Sequence, residues 1–280
     1  MNRIFASFLF SLIAILTSAA QGNIAVTYAV TDHDTDSAGP RSYEMTLVTD
    51  GAKSFYFNKM SLYVDSCNST PEGKAKLREI QLKAWRVVQP DGTVTYDGRK
   101  LGLAPEKKEY LYIEKDFGGG RQTVYDYFAE GLYRYTEPIE EFVWAVSEDS
   151  TATILGYECV MAQTDYHGRS WKVWFSPEIP VCDGPWKLHG LPGMILKADS
   201  ADTIHIEATE AGLTQQAVPA IYSAGDYEAG ERRNLLADRE HYFNNLESML
   251  AAQGIKLNAD GSSADLPKYN RDKRAWETDY

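Results

Sequence analysis

Residues 156–196, GYECVMAQTDYHGRSWKVWFSPEIPVCDGPWKLHGLPGMIL, decide how this chain is read. The first half holds two segments rich in β-branched and aromatic residues, ending near Gln163 and starting at Arg169. A His167-Gly168 turn signal lies between them, so an antiparallel pair is predicted. The second half crowds Trp171, Trp174, Trp186 and four prolines, Pro177, Pro180, Pro185 and Pro192, into a few turns of chain. In Leu191-Pro192-Gly193-Met194 the proline pre-sets φ and the glycine is expected to supply a positive φ, the pattern of a type II turn. Glu178-Ile179-Pro180 and Gly184-Pro185-Trp186 add further bends, and a rigid corner holding Trp174 and Trp186 in fixed positions follows. Two readings of that corner stand: a structural seal on a sheet, or a ligand or partner surface made by the indoles. Arg169 and Glu178 flank the tryptophans and are expected to pair.

Outward from this stretch, short alternating segments predict strands near 24–31, 42–49, 54–57, 94–96, 110–115, 123–128, 132–136, 142–147, 153–163, 169–175, 194–198 and 203–209. Turn signals such as Asp91-Gly92 and Gly118-Gly119-Gly120 separate them, so antiparallel meanders are expected and βαβ units are not. Thr70 as cap and Pro71 at the first helical position predict a short helix running to about Trp85. A second, long helix is predicted over 228–253, with Leu235, Arg239, Tyr242, Leu246, Met249 and Leu250 at helical spacing and Gly254 as its stop. The fold class read from this pattern is mainly β: a curved antiparallel sheet, an open or half barrel, with the long C-terminal helix over one face and one short helix.

Asn2-Arg3, an apolar run over 4–16 and Thr17-Ser18-Ala19-Ala20 before Gln21 read as a signal peptide over residues 1–20. A single domain over 21–257 and an extended or partly disordered tail over 258–280 complete the expected organisation. The apolar run is shorter than the roughly 20 residues of a membrane span, so no transmembrane span is expected in the mature chain. That places the protein in the periplasm or outside the cell. Forty acidic residues stand against 28 Lys and Arg, a net charge of −12. Such a balance repels phosphate backbones, and no nucleic-acid partner is expected. Export would let disulfides persist, and Cys159 with Cys182 is the candidate pair, worth about 3 kcal/mol by loop closure. Three free thiols, Cys67 included, are the alternative.

At this point the residues resemble a known family. Gly156-Tyr157-Glu158-Cys159, Gly168-Arg169-Ser170-Trp171, Trp174-Phe175, Glu178-Ile179-Pro180, Gly184-Pro185-Trp186-Lys187 and Gly190-Leu191-Pro192-Gly193-Met194-Ile195-Leu196 are similar to the GLPGLI family of exported Bacteroidetes proteins. The chain departs at Met194, where leucine is usual. The resemblance implies an exported protein of unestablished function, with no catalytic residue, cofactor or metal ligand to carry over.

Other patterns are weaker. Asp32, Asp34 and Asp36 alternate as in a calcium loop, but Ser37 stands where glycine is needed, and a solvated hairpin loop is expected. Asp116-Phe117-Gly118 reads as a turn. His33, His167, His189, His205 and His241 show no paired ligand spacing, and no G-x-S-x-G elbow marks a nucleophile. Asp36-Ser37-Ala38, Asp149-Ser150-Thr151 and Asp199-Ser200-Ala201 fit a short O-glycosylation acceptor pattern. The leading functional expectation is non-enzymatic binding of an apolar or peptide-like ligand or an envelope membrane-protein partner. The rival is an exported hydrolase or peptide-modifying enzyme with a site assembled from His167, His189, Asp183 and Glu178.

Overall fold

The computed structural model describes residues 22–33, 40–97, 104–107, 109–201, 203–252, 254 and 276–279. The expected signal peptide, most of the expected tail, Asp34 and the first glycosylation pattern at 36–38 lie outside the described residues. Strands β1 (Asn23–Asp32), β2 (Arg41–Thr49) and β3 (Lys53–Phe57) open the fold. Helices α1 (Lys59–Asn68) and α2 (Pro71–Trp85) follow, then a separate hairpin of β4 (Arg86–Val88) and β5 (Val94–Tyr96). Next comes a meander of β6 (Tyr112–Asp116), β7 (Arg121–Phe128) and β8 (Gly131–Pro138). A second meander follows, of β9 (Ala145–Ile154), β10 (Tyr157–Tyr166), β11 (Arg169–Ser176), β12 (Met194–Ser200) and β13 (Ile204–Thr214), before β14 (Glu228–Ala229) and α3 (Arg232–Ala252).

Twelve strands form one sheet in the order β14-β8-β7-β6-β3-β2-β1-β13-β12-β11-β10-β9. The two meanders meet where β1 pairs with both β2 and β13, so the chain's first strand lies in the middle of the sheet. Pairing is antiparallel except where β14 joins β8. Sequence alternation explains the strands: Val26, Tyr28 and Val30 of β1 and Ile204, Ile206 and Ala208 of β13 point to one face, with Glu207 exposed between them. That face carries the larger core, which includes Met45, Leu47, Tyr56, Ile113, Trp171 and Val173. On the other face Phe55, Phe57, Tyr112, Tyr125 and Tyr227 form a smaller core, closed in part by Leu62 of α1. The start of α2 is as read from the sequence: Thr70 accepts from the Gly73 N–H and Pro71 is the first helical residue. Helix α1 was not expected; Asn58 caps it by accepting from the Ser61 N–H.

The expected combination of an open or half barrel with one long C-terminal helix over one face and one short helix is overturned at its helices. The sheet stays open, with β14 and β9 as its two ends. Its larger core takes in the chain's own segment 177–193, through Ile179, Trp186, Leu188 and Leu191. Glu228 and Ala229 extend the sheet and are not helical, and α3 begins only at Arg232 and packs at the β8 edge. At the opposite edge, β9 bulges: Val160 pairs with Thr151 and Met161 with Ser147, which leaves Glu148, Asp149 and Ser150 without opposite numbers. A charged bulge of this kind blunts an edge against further pairing. Among the described residues no helix is long and apolar enough to cross a membrane.

Candidate functional site

The segment between β11 and β12 folds back on the sheet and is held by a buried ion pair. Alternation on β6 turns Ile113 and Lys115 to the same face. Lys115 Nζ lies 2.6 Å from Asp183 Oδ1 and donates to the Gly184 and Leu188 carbonyls at 2.8 and 3.2 Å. Burial pulls the Lys115 ammonium below its usual range, and the Asp183 charge opposes that pull. Asp183 and His189 face each other across a single backbone bridge. The His189 carbonyl accepts from Trp144 Nε1 at 3.1 Å. Burial, then the Lys115 charge, push the His189 imidazole down to about 4, which keeps it neutral.

A second buried cluster lies beside it. Lys187 Nζ, with no exposed side-chain surface, sits 2.5 Å from Glu137 Oε1 and 2.6 Å from Glu277 Oε1. Arg232 Nε of α3 lies 2.5 Å from Glu277 Oε2, and the same guanidinium pairs with Asp279. His167 Nδ1 stands 3.1 Å from Asp279 Oδ2, while its Nε2 faces Glu137 Oε2 and Glu277 Oε2, each at 3.7 Å. Tyr135 Oη donates to Glu277, and Gln122 Nε2 donates to Glu137. Burial alone would raise the Glu277 carboxyl, but Lys187, His167 and Arg232 outweigh it and hold it below the usual range. Glu137 behaves the same way, with His167 and Lys187 outweighing its burial.

Glu137, His167 and Glu277 also have the make-up of a metal site, with ligand atoms within 4.8 Å of one another. Lys187 and Arg232 already neutralise those carboxylates, and a divalent ion would have to share Glu277 Oε2 with Arg232. Charge pairing is therefore the chemistry of the cluster: the carboxylates of Glu137, Glu277 and Asp279 stand against Lys187 and Arg232.

Over the cluster the indoles of Trp171, Trp186 and Trp276 pack with ring centroids 5.2 to 6.4 Å apart. Trp276 Nε1 donates to Asp32 Oδ2 at 2.9 Å. A small cavity of about 70 Å³ runs alongside, bordered by Tyr43, Glu109, Trp186, Trp276 and Glu277.

Several expected contacts do not form. Arg169 opens β11 and Glu178 lies in the turn beyond its far end, so at about 3.3 Å per residue the length of the strand, roughly 23 Å, separates them and they do not pair. Arg169 instead donates to the Trp276 carbonyl and Thr203, and Glu178 accepts from the Glu158 N–H. Trp174 does not meet Trp186; alternation on β11 sends it to the opposite face from Trp171, under the Lys197 ammonium. Gly193 does not carry a positive φ; Gly168 at 78° and Gly190 at 88° do, and Gly193 is required because a Cβ there would run into the Ser176 carbonyl. Gly184 is likewise packed against Ile195. Pro185 and Leu191 are buried, while Pro180 and Pro192 are exposed. Cys159 and Cys182 are not bridged: Cys159 points into the core, Cys182 is exposed, and all three cysteines are free. Ser200 is buried, which removes one of the glycosylation patterns.

The four residues of the enzyme reading fall in three places. His167 belongs to the Lys187 cluster, Glu178 sits exposed at the outer bend, and Asp183 and His189 are sealed in the corner. Neither Asp183 nor His189 lines any of four cavities formed by the described residues. What reading the sequence missed is Lys115, Lys187, Glu137 and the segment 276–279. The inward phase of Lys115 beside Ile113 was the available signal.

Residues 164–197 match a family described as "Protein of unknown function (Porph_ging)". That stretch runs from β10 through the corner into β12. No match to the chain is found among curated proteins. Of solved structures, PNGF-II in its P21 crystal form is similar at 13% identity and a TM-score of 0.49, over 78% of this chain and 33% of that one. MucB in complex with MucA(peri) is similar at 9% identity and a TM-score of 0.25, over 72% of this chain and 54% of that one. The chain thus spans about a third of PNGF-II and about half of MucB.

Proposed function

We propose that this chain is an exported, non-enzymatic binding protein of the GLPGLI type whose ligand is peptide-like. One observation carries the reading: a polypeptide segment, residues 276–279, already occupies a recess lined by indoles and cations at the corner. The recess holds that segment by three kinds of contact at once, which is how peptide-binding sites combine affinity with selection. Its backbone is met by Arg169 and by the His167 carbonyl, its indole by Trp186 and Asp32, and its carboxylate by Lys187. Among the described residues, Lys115 is paired with Asp183 and Lys187 with Glu137 and Glu277, which supports a binding role over a catalytic one.

A photo-crosslinking residue in place of Tyr43, which lines the small cavity, tests this in the native envelope. Adducts with peptide or protein partners, mapped by mass spectrometry to the recess, are expected. Their absence overturns the reading. Export is tested separately, by finding a mature N-terminus near Gln21 in the periplasmic or extracellular fraction.

A further inference from the structure

The segment 276–279 touches the rest of the protein as a bound peptide would. It is joined to α3 through residues 253–275, 23 residues in all, yet it contacts the opposite end of that helix, at Arg232. The turn between β10 and β11 reads its backbone on both sides: Arg169 Nε donates to the Trp276 carbonyl at 2.6 Å, and the Thr278 N–H donates to the His167 carbonyl at 3.0 Å. Those contacts accept any sequence. The side-chain contacts do not.

Trp276 is 8% exposed and fits between Trp171, Trp186 and the Asp32 carboxylate. An acceptor placed for an indole N–H rejects phenylalanine, because Asp32 would then lose that partner. Glu277 is 4% exposed and meets Lys187, Arg232 and Tyr135. With Glu277 and Asp279 withdrawn, Lys187, Arg232 and Arg169 face Glu137 and Asp32, while Arg41 with Glu109 and Arg239 with Asp126 stay paired, so the recess keeps one cation in excess on a chain of net charge −12. Such a site draws an acidic peptide and repels a basic one.

We infer that this recess is a receptor site for an aromatic–acidic peptide, tryptophan followed by glutamate, and that the chain's own residues 276–279 are its displaceable occupant. The inference rests on the peptide-binding reading above and names the ligand class. A tethered occupant competes at an effective concentration on the order of millimolar, so an outside peptide reaches the site only when it binds better or the occupant is removed.

The test uses a labelled peptide of residues 275–280, AWETDY, with three proteins: the intact chain, the chain ending at Ala275, and the full-length chain carrying Trp276→Ala and Glu277→Gln. The shortened and the doubly substituted chains are expected to bind the peptide at least tenfold more tightly than the intact chain. Peptides with phenylalanine for tryptophan, or glutamine for glutamate, are expected to bind at least tenfold more weakly. If the shortened chain does not fold by itself, added peptide is expected to restore a cooperative melt, since a ligand that binds the native state stabilises it. A folded, occupant-free chain that ignores the peptide overturns the inference, as does equal binding to intact and shortened chains, or an unfolded chain that the peptide fails to rescue. The crosslinking experiment at Tyr43 separates the two levels: partners that lack an aromatic–acidic sequence sink this inference and leave the binding function standing.

Discussion

Lys115 Nζ stands 2.6 Å from Asp183 Oδ1 with both side chains fully out of solvent, so one ion pair ties β6 to the loop that covers the larger core. Breaking such a pair from one side leaves a bare charge in the interior, at a cost of about 3–5 kcal/mol. Lys115→Met is therefore expected to remove a large part of the total stability, since domains hold only about 5–15 kcal/mol. Adding Asp183→Leu to it should recover part of the loss, because the Gly184 and Leu188 carbonyls stay unserved. Urea melts of the two single variants and the double variant give the coupling. A Lys115→Met chain as stable as a surface Lys53→Met control would show that the pair does not hold the corner.

Gly193 and Gly51 test two different reasons for glycine. At Gly51 φ is 87° and nothing lies near a built Cβ, so Gly51→Ala costs only the left-handed backbone, roughly 1 kcal/mol. At Gly193 the backbone is not left-handed, but a Cβ would collide with the Ser176 carbonyl and Pro177. Gly193→Ala is expected to cost about 1–3 kcal/mol or more, because main chain cannot swing aside as a side chain can. Thermal melts that rank Gly51→Ala as the worse variant would contradict the packing described for the corner.

His189 gives the corner a pH signature. Burial and then Lys115 hold its folded pKa at about 4, below the unfolded value of about 6.5. The unfolded chain takes up a proton that the folded chain refuses, so stability falls as pH drops from about 6.5 to about 4, by up to roughly 3 kcal/mol. Glu137 and Glu277 also have lowered pKa values, so their contribution is present above the ordinary carboxylate range and is lost at lower pH, a later window. His189→Gln should flatten the first window and leave the second. Equal melting temperatures of the wild-type chain at pH 6.5 and pH 4.5 would refute the assignment.

The period of two along the strands was legible, and so was the start of α2 at Thr70 and Pro71, because those signals are local. That the stretch bends sharply was legible from its prolines and glycines, but its partners were not. Trp171 and Trp174 look alike in a sequence, and only strand phase sends the first to Trp186 and the second to Lys197. The turn at Leu155 and Gly156, both at positive φ, lacks the Asn-Gly pattern that normally announces it, so β9 and β10 were misplaced at their junction. Nothing in the strand pattern says that 177–193 would turn inward and bring Ile179, Trp186, Leu188 and Leu191 into the larger core. Trp276 and Glu277 were hidden for a related reason: one indole in a polar tail gains its meaning from Asp32 and Lys187, far away in sequence.

The thiols decide how far the corner depends on covalent help. Cys159 is fully buried, and burial pushes its thiol up to about 11, which leaves almost no reactive thiolate at neutral pH. Cys67 is buried as well, while Cys182 is exposed on the corner. Alkylation of the native protein without reductant should modify Cys182 quickly, and Cys67 and Cys159 only once denaturant is added. Intact mass should show three alkylated thiols in the denatured sample. Cys182→Ser should leave stability within about 0.5 kcal/mol of the wild type, the ordinary range for a surface change. Two blocked thiols released only by a reductant, Cys182 one of them, would mean that Cys182 turns inward to reach a partner. The bend at Pro180 and the bridge between Asp183 and His189 would then have to open, because both now fix the chain on either side of Cys182.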